Sequence, residues 1–244
     1  GNTIANNNGH GIYSDHSYGD IIDNLIIENT NRGIYVDQAY DGQYNIRNNT
    51  IDGHNNDYGL YWDSNSSSNY TLTATNNSIT NNYNGIYCNN GSNYNTIQYN
   101  NSWNNSFSNY SGSLPTGTGN LTDINANGNV CDISFNISEN PLYIDADSGN
   151  FYIEKESPNI DAGDPSLFDS DGTVSDIGRY PYQYDLLPTP SSIDFGLITV
   201  GTDSTAIVTL SANLTDIEVS AIETSHSQFT VSPNSFTILT GESQ

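Results

Sequence analysis

Short runs of alternating apolar and polar residues recur along the first part of the chain. Gly11-Ile12-Tyr13-Ser14-Asp15, Gly33-Ile34-Tyr35-Val36-Asp37, Gly59-Leu60-Tyr61-Trp62-Asp63 and Gly85-Ile86-Tyr87-Cys88-Asn89 are near-copies, spaced by 22, 26 and 26 residues. A period of two predicts strands with one buried face. Charge sets the phase. Ile12, Ile34, Leu60 and Ile86 are expected to point inward, followed by Ser14, Val36, Trp62 and Cys88. Tyr13, Tyr35, Tyr61 and Tyr87 then face outward, beside Asp15, Asp37, Asp63 and Asn89. The opposite phase would bury a column of unpaired carboxylates at prohibitive cost.

A second signal precedes each run: Asn2-Thr3-Ile4, Asn24-Leu25-Ile26, Asn49-Thr50-Ile51, Asn77-Ser78-Ile79 and Asn101-Ser102-Trp103. From Asn to the following Gly the first four offsets are 9, 9, 10 and 8 residues. This predicts coils of two short strands each, stacked in parallel at about 4.8 Å per coil. Asn2, Asn24, Asn49, Asn77 and Asn101 are expected to form a side-chain amide ladder. The glycine before each second strand is expected to supply a positive φ at a corner. No window carries a helical period, so the expected class is all-β.

The alternation of Asn-Asn-x-Ile with Gly-Ile-Tyr over residues 1 to about 105 resembles the right-handed parallel β-helix repeats of pectate-lyase-like proteins. Asn136-Ile137-Ser138-Glu139-Asn140-Pro141-Leu142-Tyr143, Ser157-Pro158-Asn159-Ile160-Asp161-Ala162-Gly163-Asp164-Pro165, Asp169-Ser170-Asp171-Gly172 and Asp176-Ile177-Gly178-Arg179-Tyr180 resemble the closing segment of bacterial and archaeal β-helix surface proteins. The resemblance implies a right-handed parallel β-helix over 1–185, with 131–185 capping its C-terminal end. The chain opens within a repeat, so further coils and any export signal are expected upstream. Residues 106–130 fit neither pattern and read as a loop bordering the last coils.

Asparagine then becomes scarce, and Pro188-Thr189-Pro190 marks an expected linker at 186–190. Beyond it, Ile193-Asp194-Phe195-Gly196, Thr205-Ala206-Ile207-Val208-Thr209-Leu210, Ile217-Glu218-Val219, Phe229-Thr230-Val231 and Phe236-Thr237-Ile238 alternate at sandwich spacing. Residues 191–244 resemble the opening strands of the immunoglobulin-like modules related to those of cilium and spindle proteins. The module is expected to be truncated.

Asp and Glu number 28 against 4 Lys and Arg, a net charge of −24. That excludes polyanion readers such as nucleic-acid-binding proteins, and binding to anionic membranes. No apolar run reaches the roughly 18 residues of a membrane span. Such acidity, with 18 Tyr and no Met, suits a secreted or cell-surface protein. Cys88 and Cys131 allow either one disulfide or two buried thiols. Asn-x-Ser/Thr sequons at Asn48, Asn76, Asn100 and Asn136 are candidates for glycosylation.

The candidate chemistry lies on the outward face. Exposed Tyr13, Tyr35, Tyr61 and Tyr87 suit stacking on sugar rings, or a self-stabilising ladder. Asp15, Asp37 and Asp63 on successive coils suit a divalent cation, calcium above all, or a solvated acidic ridge. Asp169, Asp171 and Asp176 suit a calcium loop or a structural Asx turn. His10 in Gly9-His10-Gly11 resembles one polygalacturonase motif, but the companion Asp pair and Arg-x-Lys are missing. Its slot is a variable corner shared with Arg32, Tyr58 and Asn84; His16 and His54 read as turn residues too. Arg32 and Arg47 are the only candidates for a lyase base in the repeats, and no catalytic residue is assigned. The expected function is polysaccharide or cell-surface glycan binding, with or without calcium. The rivals are a polysaccharide lyase or glycoside hydrolase on the same fold, and a purely structural rod.

Overall fold

The computed structural model describes residues 1–37, 42–64, 70–90, 95–190, 192–212 and 216–244. The chain divides into two compact units, Gly1–Tyr182 and Gln183–Gln244. The first is a parallel β-solenoid. Its strands are β1 (Thr3–Ala5), β2 (Ile12–Asp15), β3 (Gly19–Ile22), β4 (Leu25–Ile27), β5 (Ile34–Asp37), β6 (Gly42–Arg47) and β7 (Thr50–Asp52). The series continues with β8 (Tyr58–Asp63), β9 (Tyr70–Thr75), β10 (Ser78–Thr80), β11 (Asn84–Asn89), β12 (Thr96–Gln98), β13 (Asn101–Trp103) and β14 (Ser108–Gly112).

These strands stack into three sheets, ordered β1-β4-β7-β10-β13, β2-β5-β8-β11-β14 and β3-β6-β9-β12. A coil therefore carries three strands, where two were expected. The third lies in stretches such as Gly42–Arg47 and Tyr70–Thr75, whose alternation is diluted by Asn, Gln and Thr. β14 also corrects the loop expected over 106–130: Tyr110 takes the inward position above Ile86 and packs against the core.

The alternation has its predicted phase. Ile34, Leu60, Ile86, Val36, Trp62 and Cys88 are fully buried, whereas Tyr13 is 52% exposed. They join Ile26, Ile51, Ile79, Ile46 and Leu72 in one continuous core along the solenoid axis. Each such aliphatic side chain contributes roughly 1.5–3 kcal/mol of burial.

The glycines work differently from expectation. Gly11, Gly33, Gly59 and Gly85 have no positive φ. They stand where the chain has no room for a side chain. A Cβ on Gly33 would meet Ile51 Cγ2 at 2.5 Å and the Gly59 carbonyl oxygen at 2.7 Å. The left-handed corners belong instead to Asp23, Asn48, Asn76, Tyr99 and Phe135 at one bend, to Asn6, Glu28, Gly53, Asn81 and Asn104 at a second, and to His16 and Asn90 at the third, after the tyrosine strand.

An asparagine ladder follows each of the first two bends. The first runs Asn2, Asn24, Asn49, Asn77, Asn100, Asn136. Each Oδ1 accepts the backbone N–H and the side-chain amide of the coil before it, at 2.9–3.4 Å. Asn101, expected in this ladder, is one residue out of register. It pairs with Ser78, and its side chain bonds Asn159 and Glu139. Trp103 mimicked the apolar position of the repeat, but the inward position is held by fully buried Ser102. Asn76, Asn100 and Asn136 are also fully buried, so these three sequons are closed to glycosylation in the folded chain.

A second ladder stands beside the first. It runs Asn7, Asn29, His54, Asn82, Asn105, Asn109. Through Asn105 its members lie five residues after those of the first ladder.

The segment expected to cap the solenoid's end starts beside the last coil and then runs back along the solenoid. Ile137 bridges Asn101, which adds a partial rung, and a hairpin of β15 (Asp123–Ile124) and β16 (Val130–Cys131) flanks it. A second hairpin, β17 (Tyr143–Asp145) with β18 (Asn150–Ile153), leads into a strap. This strap returns along the outer face of the first sheet. Asn159 Oδ1 accepts from Asn101 Nδ2 at 2.7 Å, the Arg179 N–H donates to Thr50 Oγ1 at 3.0 Å, and Arg179 Nη1 donates to the Asn2 carbonyl at 2.8 Å. One outward column of the sheet is Thr3, Leu25, Thr50, Ser78 and Asn101, mostly small and all uncharged, so it suits a polar strap. The other outward column includes Asp52, buried and bonded to Thr80 and Asn81. Cys131 packs in a small second core with Ile137, Ala162 and Ile177, separate from Cys88 in the main core. Both cysteines are free thiols rather than a disulfide.

In the second unit β19 (Leu186–Thr189) pairs antiparallel with β20 (Thr209–Ala212), and β21 (Ile217–Val219) with β22 (Phe236–Ile238). The stretch 186–190 expected as a linker is thus largely strand, with Pro188 tolerated in a two-stranded pair that leaves edges free. Ser191, the expected first sandwich residue, lies outside the described residues. No helix among the described residues is long and apolar enough to cross a membrane.

Candidate functional site

The outer face of the sheet β2-β5-β8-β11-β14 carries the tyrosine column. Strand register places Tyr13, Tyr35, Tyr61 and Tyr87 directly over one another. Ring centroids are 5.1 Å apart for Tyr13–Tyr35, 5.2 Å for Tyr35–Tyr61 and 5.0 Å for Tyr61–Tyr87. Interplanar angles of 42°, 88° and 30° show tilted and edge-on packing rather than a flat stack.

The edge-on pair encloses a cation. Arg32 Cζ lies 3.9 Å from the centroid of Tyr35 and 3.9 Å from that of Tyr61. Its Nε is 3.3 Å from Asp57 Oδ1. Tyr58 packs on Tyr61 and Tyr87, at 4.9 and 4.8 Å. His10 packs on Tyr13 and Tyr35, at 5.7 and 5.1 Å, and its Nδ1 accepts the Arg32 N–H at 3.3 Å. The slot His10, Arg32, Tyr58, which the sequence presented as a variable corner, is a second column against the tyrosines. Its signal was available: three of its four members carry rings or a guanidinium three residues before the tyrosine.

Electrostatics keep this face neutral in its rings. Burial pushes Tyr61 up to about 12, with the Arg32 cation opposing. Tyr35 and Tyr58 are also raised by burial. Burial, aided by Arg32, lowers His10, so its imidazole is uncharged at neutral pH. The face therefore offers phenol donors and one buttressed cation.

The aspartates run beside the rings. Asp37 accepts from the Tyr13 hydroxyl at 3.3 Å, Asp63 accepts from Asn89 Nδ2 at 2.9 Å, and Asp15 contacts His16 Nδ1. Asp169 Oδ2 accepts the Asp176 N–H, and Asp171 Oδ1 accepts the Thr173 N–H and hydroxyl. Asp176 takes the N–H groups of Asp161 and Tyr182, while burial pushes its carboxyl up to about 7. These three carboxylates brace the strap's turns. Among the described residues no group of three or more His, Cys, Asp or Glu side chains gathers as a metal site.

His54, read as a turn residue, is buried within the second ladder. Arg47 lies in β6, paired with Ile22 and Thr75, apart from the tyrosine sheet. Compared with protein-family models, curated proteins and solved structures, the chain has no match.

Proposed function

We propose that this chain belongs to a secreted or cell-surface β-helix protein that binds a polysaccharide or cell-surface glycan on its tyrosine face. The observation that supports this is the continuous column Tyr13, Tyr35, Tyr61, Tyr87, with rings 5.0–5.2 Å apart. A polymer of sugar rings presents apolar faces flanked by hydroxyls. Part-exposed tyrosines beside Asp15, Asp37 and Asp63 match both features. In this reading the solenoid is a right-handed helix of the pectate-lyase-like class. The second unit, with two antiparallel strand pairs, is an immunoglobulin-like spacer.

The test is a glycan array probed with and without EDTA, followed by Tyr35→Ala and Tyr61→Ala. Binding that survives EDTA and weakens about tenfold per tyrosine is the expected result, the size of one lost stacking contact. No bound glycan under either condition would sink the reading. Release of reducing ends or unsaturated uronates would replace it with the enzyme reading.

A further inference from the structure

The second ladder has a direction. Each asparagine Oδ1 accepts from the coil before, and each amide is spent on the coil after or on a backbone carbonyl. His54 keeps that direction in only one form. Its Nε2 accepts from Asn29 Nδ2 at 3.2 Å, and its Nδ1–H donates to Asn82 Oδ1 at 2.9 Å. A second proton on Nε2 would face the Asn29 amide, donor against donor. Asn29 cannot turn over without loss, because its Oδ1 already holds the Asn7 N–H and amide.

His54 also anchors the tyrosine face. Its carbonyl accepts the Asp57 N–H at 3.0 Å and the Tyr83 N–H at 3.2 Å. Its ring lies against the backbone of Gly33, where an added Cβ would come within 3.1 Å of Cε1. Arg32 precedes Gly33, and Asp57 holds Arg32 between Tyr35 and Tyr61. We propose that His54 is an acid switch for the tyrosine face: its protonation breaks the ladder, loosens the turn that carries Asp57, and releases Arg32 from between Tyr35 and Tyr61. Its effect on glycan binding rests on the polysaccharide reading; the movement itself does not.

Burial holds His54 down at about 4, so the switch acts in acid and Arg32 stays clamped between Tyr35 and Tyr61 at neutral pH. The charged and titratable groups around the ring are Asp57 on its own turn, Arg32 and His10 on the preceding coils, Glu28 against Gly53, and Tyr83 on the following coil. Asp52 bonds Thr80 and Asn81 on the strap side of its strand. A variant that leaves all of these in place separates His54 from them.

His54→Asn is that variant, because asparagine continues the ladder in the other coils. The experiment compares amide hydrogen exchange at Asp57 and Tyr83, corrected for intrinsic rates, between about pH 6.5 and about pH 3.5 in both proteins. Exchange in the wild type should rise about tenfold as the pH passes through the His54 transition, and stay level in His54→Asn. An equal rise in both proteins, or none in the wild type, overturns the proposal. Should His54→Asn fail to fold, nitrogen NMR of the wild-type ring decides. An Nδ1–H tautomer titrating together with the Tyr35 and Tyr61 ring signals supports the switch; titration without those signals moving overturns it. An exchange response without glycan binding at any pH would uphold the switch and remove only the polysaccharide reading.

Discussion

A histidine stands where the other coils carry an asparagine, and its energetics follow from that position. Unfolded histidine takes up a proton near its ordinary value of 6.5, whereas folded His54 resists protonation until about 4. The folded state therefore loses stability as pH falls from the first value toward the second, and loses no more below it. That gap corresponds to about 3 kcal/mol. Asp176, raised to about 7, has the opposite sign, since its folded form favours the proton and gains as pH falls through the same window. Comparison with His54→Asn cancels the Asp176 contribution. Urea unfolding at a series of pH values should show wild type losing stability relative to His54→Asn, by about 3 kcal/mol between pH 6.5 and pH 4. A constant difference would place the histidine in contact with water.

At the scale of the element, the ladders explain why polar strands stack at all. Short strands such as Ser78–Thr80 bury little apolar area, yet their turns are tied by fully buried amides. Asn77 Oδ1 accepts two bonds, and Nδ2 donates to Asn100 Oδ1 and to the carbonyls of Ile46 and Thr75. Asn77→Ala strands several of these groups, at roughly 1–3 kcal/mol each. Asn77→Ala should therefore lower the unfolding midpoint by more than Asn48→Ala, whose residue sits at the same bend outside the ladder. Calorimetry of the two variants checks this, and equal losses would deny the ladder its role. The first ladder was legible because Asn precedes an apolar pattern. Its last position is ambiguous in the sequence because Asn100 and Asn101 are adjacent and Trp103 looks more like a core residue than Ser102 does. The second ladder lay in plain view at a constant offset, hidden by the chain's abundance of asparagine and by the one histidine.

At the scale of the molecule, the strap covers the middle and last strands of one sheet of the solenoid. Thr50, Ser78 and Asn101 point outward yet are at most 1% exposed, because residues 157–179 lie over them. Asn159 is the central clasp, bonded to Asn101, Ser78 and the Ile177 carbonyl. Asn159→Ala should raise protease cleavage within 157–179 while leaving the tyrosine sheet intact. Limited proteolysis with mass spectrometry reads this directly, and cleavage spread evenly along the solenoid would contradict a locally held strap.

The chain's own pattern determined the parallel stack, the inward and outward phase of Ile34, Tyr35, Val36 and Asp37, and the tyrosine column. These follow from period two, a fixed repeat and the cost of burying carboxylates, all of which are local. The tertiary structure decided what local pattern cannot carry. It placed Arg32 between Tyr35 and Tyr61, set His54 within an amide ladder, and laid the strap along the first sheet. Those arrangements depend on which coil lies over which and on contacts as distant in sequence as Arg179 with Asn2. The tyrosine column thus came from repetition, whereas its clamp came from packing between coils.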